Sequence, residues 1–111
     1  MATCDVWDIV KVPFPYTNRP IQQFRPALVV ARLHHADMPE LLWVLMITSA
    51  THRRWPGDVA IAGLPAPSVV RCAKIATIKA KDAGRIGHLA DRTAVEAFLR
   101  HVFGQALWQL L

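Results

Sequence analysis

The chain of 111 residues has only two cysteines and no long apolar run. Cys4 and Cys72 stand far apart without CxxC spacing, which argues against a disulfide framework and against a zinc site. The longest apolar run covers residues 41–47, far short of the ~20 residues needed to cross a bilayer. Asp5 and Asp8 occupy the region where a secretion signal would be basic. We therefore expect no membrane segment and a location in the reducing cytoplasm.

The sequence also lacks the common motifs of cofactor and metal chemistry. It has no P-loop, no GxGxxG and no GxSxG motif. His34, His35 and His88 do not have the helical spacing or the neighbouring carboxylates of a metal site. Asp5 with Asp8 is too small a cluster to hold Mg²⁺. The sequence therefore predicts neither a cofactor nor a metal requirement.

The chain does contain enough apolar material for one compact core. Hydrophobic residues make up 53% of the chain and charged residues 19%, so we expect residues 1–111 to form a single globular domain. Mean hydropathy is +0.24, which is slightly apolar for so small a domain. Part of the surface is therefore expected to be buried in an oligomer.

The formal net charge is +5, and arginine carries most of the excess, with nine arginines against four lysines. Guanidinium groups match the geometry of phosphate and stack on bases, which favours a nucleic acid or an acidic protein as partner. A basic surface that merely faces solvent would have the same composition. Charge alone leaves these alternatives open.

Apolar alternation and turn residues predict several short strands. The predicted strands are 7–13, 25–32, 41–47 and 59–62, then 68–73 and 75–79 as two short strands or one bent strand. Turn-rich residues predict connections over 15–23, 33–39 and 81–87. Because no β-α-β alternation appears, the order predicts a mainly β (α+β) fold with an antiparallel, partly closed sheet and a C-terminal α-helix.

The predicted helix follows Asp91, which can cap its first turn, and its apolar residues recur at i, i+3, i+4 and i+7 from Val95 onward. Gly104 lies inside this pattern and costs about 1 kcal/mol relative to alanine. The helix could therefore break or kink at that residue.

Two short motifs carry side chains suited to phosphate chemistry. Arg25 stands between a loop and a strand, and the following Pro26 restricts its backbone, as a clamp on a charged phosphate requires. Thr48 and Ser49 end an apolar strand, where scaffolds often present functional groups.

The residues of both motifs could instead have a purely structural role, and the sequence pattern alone favours that role over a catalytic one. Arg25 could instead pair with a carboxylate such as Asp8 or Asp58, and the hydroxyls could cap a turn.

A third segment, Thr51-His52-Arg53-Arg54-Trp55, interleaves cations with an aromatic ring that can stack on an unpaired base. RNA or an acidic peptide could bind this segment. His52 could also act as a general acid or base near neutral pH, although a lone loop histidine is more often only solvated.

Taken in order, several segments resemble the MazF/PemK toxin family over most of the chain. They are W-D-I-V-K-V-P-F-P-Y-T, F-R-P-A-L-V-V, M-I-T-S, P-G-D-V and S-V-V-R-C-A-K-I-A-T-I, with G-R-I-G beyond. The resemblance implies an SH3-like barrel related to CcdB, a homodimer, and a cognate acidic antitoxin that covers the active face. It also implies metal-independent cleavage of single-stranded RNA, in which the 2′-hydroxyl attacks its own phosphate.

Matching these motifs residue by residue assigns the site. Arg25 takes the family's arginine that stabilises the charged phosphorane, and Thr48 takes the hydroxyl that holds the phosphate. The residues predicted to bind RNA are Ser49, His52, Arg53, Arg54, Trp55, Arg71 and Arg19.

The chain departs from the family pattern at two positions. Trp7 stands where the family usually has glycine before its D-I or D-V pair, so the first turn must tolerate a large side chain. Some members carry an acid two residues after an arginine in the fifth segment, whereas Arg71 is followed by Cys72 and Ala73. The residue that accepts the proton is therefore either Arg25 or His52.

Two other functions fit a chain of this resemblance. One is a CcdB-like toxin or binding module that acts on a protein target without cutting RNA, and the other is a degenerate toxin that only binds its antitoxin. Retention of Arg25 and Thr48 favours the nuclease. RNA sequence preference is not predicted, because it depends on how the loops at 15–23 and 49–57 shape the groove.

Overall fold

The computed structural model describes residues 4–14 and 23–110, with side chains described except for Phe14 and residues 105–110. The elements are β1 (Asp8–Phe14), β2 (Gln23–His35), β3 (Met38–Ser49), β4 (Asp58–Ile61), β5 (Ser68–Lys79), a 3₁₀ turn (Ala80–Asp82), β6 (Gly84–His88) and α1 (Thr93–Leu110).

In this part of the chain the strands form one sheet in the order β4-β5-β3-β2-β1-β6, and every neighbouring pair is antiparallel. The sheet is not fully closed. The predicted class, a mainly β, partly closed barrel with a C-terminal helix, is confirmed. Since β2 and β3 lie at the centre of the sheet, the ends of these two strands have the most fixed positions for a site.

Both faces of the sheet are buried, because successive strand residues point to opposite sides. Leu45 and Ile47 belong to a first apolar cluster, which also contains Val95 of α1, whereas Leu42 and Val44 belong to a second cluster on the other face. This double burial explains why residues 41–47 read as a continuous apolar run rather than an alternating one.

Strand β5 is a single bent strand, which was one of the two predicted alternatives. Leu45 of β3 pairs with Ile75, but the next residue, Met46, pairs with Arg71. Residues 72–74 therefore form a bulge, and bulges bend a strand and increase its twist.

Two of the predicted connections are wrong. Residues 33–35 and 38–39 belong to β2 and β3, which continue past the apolar core as a hairpin with the pairs Leu33↔Leu41 and His35↔Met38. Backbone pairing rather than apolar side chains extends these strands, so hydrophobic periodicity did not show them. The predicted connection 81–87 contains most of β6, a short edge strand on β1 whose two glycines read as a turn.

Helix α1 is continuous through Gly104, so the predicted break or kink is absent. Asp91 accepts a hydrogen bond from the backbone N–H of Thr93, the first residue of the helix, at 3.1 Å, and Arg92 lies between the two. Val95 is buried, but Val102 and Phe103 are exposed. Among the described helices, none has the length and apolar character of a membrane span.

The first turn tolerates the large side chain of Trp7, as the sequence required. Trp7 has a φ of 75°, in the left-handed region that favours glycine. Its backbone N–H donates to the carbonyl of Val29 at 2.7 Å, and its own carbonyl accepts from the N–H of Leu89 at 2.9 Å. These two bonds join β2 to the segment after β6 and hold the strained backbone in place.

Candidate active site

The register of β2 and β3 brings Arg25 and Thr48 to the same place. Ala27 pairs with Met46, and Arg25 and Thr48 each lie two residues beyond this pair, toward the same end of the two antiparallel strands. Arg25 also pairs with Val12 of β1, so its backbone is held by a second strand. Its guanidinium Nη2 donates to Gln23 Oε1 at 3.4 Å.

Arg25 and Thr48 line an open cleft of about 440 Å³ at the ends of β2, β3 and β5. The described residues that line it are Gln23, Phe24, Arg25, Pro26, Ile47, Thr48, Ser49, His52, Ala66, Pro67 and Ser68. These lining residues include an arginine, a histidine and several hydroxyls but no carboxylate. Such a lining suits an anionic ligand, because a phosphate meets donors and a positive charge without repulsion.

His52 reaches back into this cleft through a tight turn. Its backbone N–H donates to the Ser49 carbonyl at 3.1 Å, and Ser49 Oγ accepts from the N–H of Thr51 at 3.2 Å. The turn places His52 Nδ1 at 3.0 Å from Thr48 Oγ1. The Thr48 hydroxyl and the His52 imidazole are thus within hydrogen-bonding distance of each other.

Arg71 lies beside the cleft in a clamp made with Asp58. Its Nε and Nη2 donate to the two carboxylate oxygens of Asp58 at 3.2 and 3.3 Å, and Nη2 also donates to the carbonyl of Arg53 at 2.7 Å. The two side chains are only 11% and 2% exposed. Since buried guanidinium and carboxylate groups need partners, this pair is expected to anchor the 51–58 loop on β5.

The clamp also positions Trp55. The Arg71 guanidinium carbon lies 4.3 Å from the centre of the Trp55 ring, which is a cation–π distance. Trp55 remains 41% exposed. One side of the ring is therefore supported by Arg71 while much of the ring faces solvent.

Burial raises the pKa of Asp58, but hydrogen bonds from the Trp55 backbone and the Arg71 side chain outweigh it, so the net pKa lies below its ordinary value. The carboxylate is therefore ionised at neutral pH, and the clamp is a true ion pair.

Gly57 fixes the other side of the loop against the helix. Its φ is 87°, and a Cβ at this position would lie 2.6 Å from Cζ of Phe98. Only glycine fits both the backbone and the contact. The loop is thus held between β5 and α1.

The structure places the predicted site residues in three groups. Arg25, Thr48, Ser49 and His52 line the cleft together. The exposed part of the adjacent loop carries Arg53, Arg54 and Trp55. Arg71 is bound to Asp58 and to the carbonyl of Arg53 in the clamp. Arg19 lies outside the described residues.

Sequence reasoning missed the wall formed by Ala66, Pro67 and Ser68. These residues reach the cleft because Ser49 pairs with Ser68 at the start of β5. The pair of prolines at 65 and 67 was the available signal, but a pairing register between distant strands is not visible in a single sequence.

The carboxylates considered as alternatives for Arg25 both have other partners. Asp58 binds Arg71, and Asp8 binds Arg85 at 3.2 Å and His88 at 2.8 Å. Burial raises the pKa of Asp8, but bonds from His88, the Asp5 backbone and Arg85 outweigh it and lower the pKa overall. This cluster joins β1 to β6, away from the cleft.

The two thiols are not suited to nucleophilic chemistry. Cys4 and Cys72 are both buried and free. Burial, with the charge of Asp58, raises the pKa of the Cys72 thiol to about 11. Burial also raises the pKa of Cys4. Both are therefore protonated at neutral pH and act as small apolar side chains.

A family model described as PemK-like, MazF-like toxin of type II toxin-antitoxin system matches residues 5–103. The chain belongs to this family. The match covers every residue that lines the cleft, the clamp and the 51–55 segment. No curated protein matches the chain closely. The predicted membership of the MazF/PemK family is confirmed, and the protein is a toxin of the type II class.

Proposed function

We propose that this PemK-like toxin is an endoribonuclease that cleaves single-stranded RNA without a metal ion. The 2′-hydroxyl attacks the adjacent phosphorus and leaves a 2′,3′-cyclic phosphate and a 5′-hydroxyl. The observation that carries the proposal is the meeting of Arg25 and Thr48 in a cleft whose described lining has no carboxylate. RNA supplies its own nucleophile, so the protein only has to position it and stabilise charge.

Arg25 and Thr48 have distinct roles in this reaction. The guanidinium of Arg25 stabilises the extra negative charge of the phosphorane, because it is always protonated and matches phosphate geometry. The hydroxyl of Thr48 donates to a non-bridging phosphate oxygen. Both side chains start from paired central strands, which gives the precision that a transition-state contact needs.

The remaining predicted residues form the path of the RNA strand. Ser49 and His52 lie in the cleft, and Arg53 with Arg54 offers cations to the neighbouring phosphates. Trp55 stacks on an unpaired base.

Arg71 acts through its support of the Trp55 ring and of the loop, because its Nε and Nη2 donate to Asp58 and to the carbonyl of Arg53. Arg19 remains a predicted contact.

Membership of the family supports the following biological setting. The toxin acts in the cytoplasm as a homodimer, inhibits growth by cutting mRNA, and is neutralised by an acidic antitoxin. The excess of arginine supports both an RNA and an acidic protein as partners, which bind the same basic face in turn.

The test is to incubate purified protein with single-stranded RNA in EDTA and to identify the ends of the products. Fragments with 2′,3′-cyclic phosphate and 5′-hydroxyl ends are expected. Products with 5′-phosphate ends, or cleavage that requires Mg²⁺, would contradict the mechanism. Growth inhibition in cells whose RNA stays intact would instead favour the CcdB-like alternative, in which a protein is the target.

A further inference from the structure

We propose that His52 is the general base of the cleavage reaction, an inference that rests on the proposed function. The base must accept the proton of the 2′-hydroxyl at the pH of the cell. His52 lines the cleft and lies in direct contact with Thr48, at 3.0 Å between Nδ1 and Oγ1. The base therefore lies beside the hydroxyl that holds the phosphate under attack.

The chemistry of the cleft singles out this residue. Among its described lining residues, the ionisable groups are His52 and Arg25. A guanidinium keeps its proton throughout the accessible pH range and is a poor base. Imidazole is the side chain whose ordinary pKa lies near neutrality. The charged group that faces the imidazole from β2 is Arg25, and the wall contributed by residues 66–68 carries no charge.

The contact with Thr48 also sets the tautomer that the reaction needs. When the Nδ1–H donates to Thr48 Oγ1, the lone pair of the neutral ring is on Nε2. The hydrogen of Thr48 is then available for a phosphate oxygen. One hydrogen bond thus orients the base and the phosphate-binding hydroxyl at the same time.

The proton and electron balance of the step is complete with RNA and water. The 2′-hydroxyl proton passes to Nε2 of His52 as the 2′-oxygen bonds to phosphorus. The bond between phosphorus and the 5′-oxygen breaks, and its electron pair leaves with that oxygen. Water supplies the proton that makes the 5′-hydroxyl, and the imidazolium returns its proton to the resulting hydroxide.

The experiment measures single-turnover cleavage of an RNA oligonucleotide that the wild type cuts, in EDTA, with the His52→Gln variant. His52 is exposed on a loop, so the variant is expected to fold. The rate constant should fall about 100-fold or more, as for loss of a general base, while RNA affinity stays within about threefold. The matched control is His34→Gln, since His34 is exposed on β2 about 30 Å along the strand from Arg25.

Two further readouts separate a base from a positioning role and from a general acid. The wild-type rate should fall as the solution is acidified, because a protonated base has no lone pair to accept the 2′-hydroxyl proton, and His52→Gln should lack this acid limb. A substrate with sulfur in place of the 5′-oxygen needs no proton on its leaving group. It should not rescue His52→Gln, because the missing group is the base.

Each contrary result has a definite meaning. A near-wild-type rate in His52→Gln, an unchanged acid limb, or rescue by the sulfur substrate would overturn the assignment of His52. If the wild type cuts no RNA in EDTA, the proposed function fails. The two failures are therefore distinguishable.

Discussion

Trp7 is a large residue whose backbone has a conformation that favours glycine. A φ of 75° is a position that glycine adopts without cost, whereas other residues lose about 1–2 kcal/mol there. Trp7 compensates by packing its ring against the first apolar cluster. The first turn therefore has a left-handed backbone position that this chain fills with a strained aromatic residue.

This balance predicts an unusual order of stabilities. Trp7→Ala keeps the strained φ and loses the ring packing, whereas Trp7→Gly loses the packing but relieves the strain. We expect Trp7→Gly to be more stable than Trp7→Ala by about 1 kcal/mol, with both below the wild type. Urea unfolding of the three proteins measures the difference, and equal or reversed stabilities of the two variants would refute the explanation.

The candidate site shows how far single residues can be assigned from sequence. Arg25, Thr48 and the 51–55 segment were identified by residue type and by the order of motifs. Their meeting depends on the β2–β3 register, which brings together residues over 20 positions apart, and on the turn at 49–52. Sequence therefore proposed candidate side chains but did not show that His52 contacts Thr48.

At the scale of elements, the Asp58–Arg71 pair joins β4 to β5 and carries the loop between β3 and β4. Asp58 begins β4 and pairs with Arg71 in the ladder as well as through its side chain. Removing one partner of a buried pair leaves the other charge without compensation, at a cost of about 3 kcal/mol or more. This makes the pair the main determinant of the loop's position.

Asp58→Asn tests the clamp through both stability and acid sensitivity. Because the folded pKa of Asp58 is lowered, its stabilisation is present above the unfolded value of about 3.9 and is lost as the pH falls through the folded pKa. The variant should lose about 3 kcal/mol at pH 7 and should show a shallower decline below pH 4 than the wild type.

Denaturant unfolding at several pH values measures both effects. Asp37→Asn is the matched control, since Asp37 is exposed in the β2–β3 turn. A wild-type stability at pH 7, or an unaltered acid profile, would show that the clamp contributes little.

The elements that sequence predicted correctly have apolar side chains that lie in the two core clusters or pack against them. β1, the cores of β2 and β3, and the first half of α1 have apolar patterns, because they form the two clusters. The outer part of the β2–β3 hairpin and β6 are held by backbone hydrogen bonds and have polar or glycine-rich sequences. Because few apolar side chains alternate along these segments, hydrophobic periodicity could not reveal them as strands.

At the scale of the whole molecule, the charge of +5 has a measurable consequence for RNA binding. Each phosphate neutralised on a single strand contributes a slope of about −0.7 to the plot of log affinity against log salt concentration. The 51–55 segment brings two exposed arginines next to the cleft. Binding should therefore depend strongly on salt, and part of that dependence should belong to this segment.

The double variant Arg53→Gln with Arg54→Gln should reduce the magnitude of the salt slope by about 1. The measurement is RNA affinity at several salt concentrations, made in a Thr48→Val background so that the substrate is not cleaved. Arg92→Gln with Arg100→Gln removes the same charge from two exposed positions, one just before α1 and one on it, and should leave the slope nearly unchanged. Equal slopes for the two double variants would place the RNA elsewhere.

The most direct test of the account is the single-turnover rate of RNA cleavage in EDTA by the wild type, Arg25→Ala and Thr48→Val. Loss of one group that stabilises developing charge typically lowers the rate about 100- to 1,000-fold, and we expect falls of this size in both variants with their folds intact. Arg100→Ala, which removes an exposed helix arginine, should cleave like the wild type. Unchanged cleavage in both Arg25→Ala and Thr48→Val would contradict the claim that this cleft is the active site.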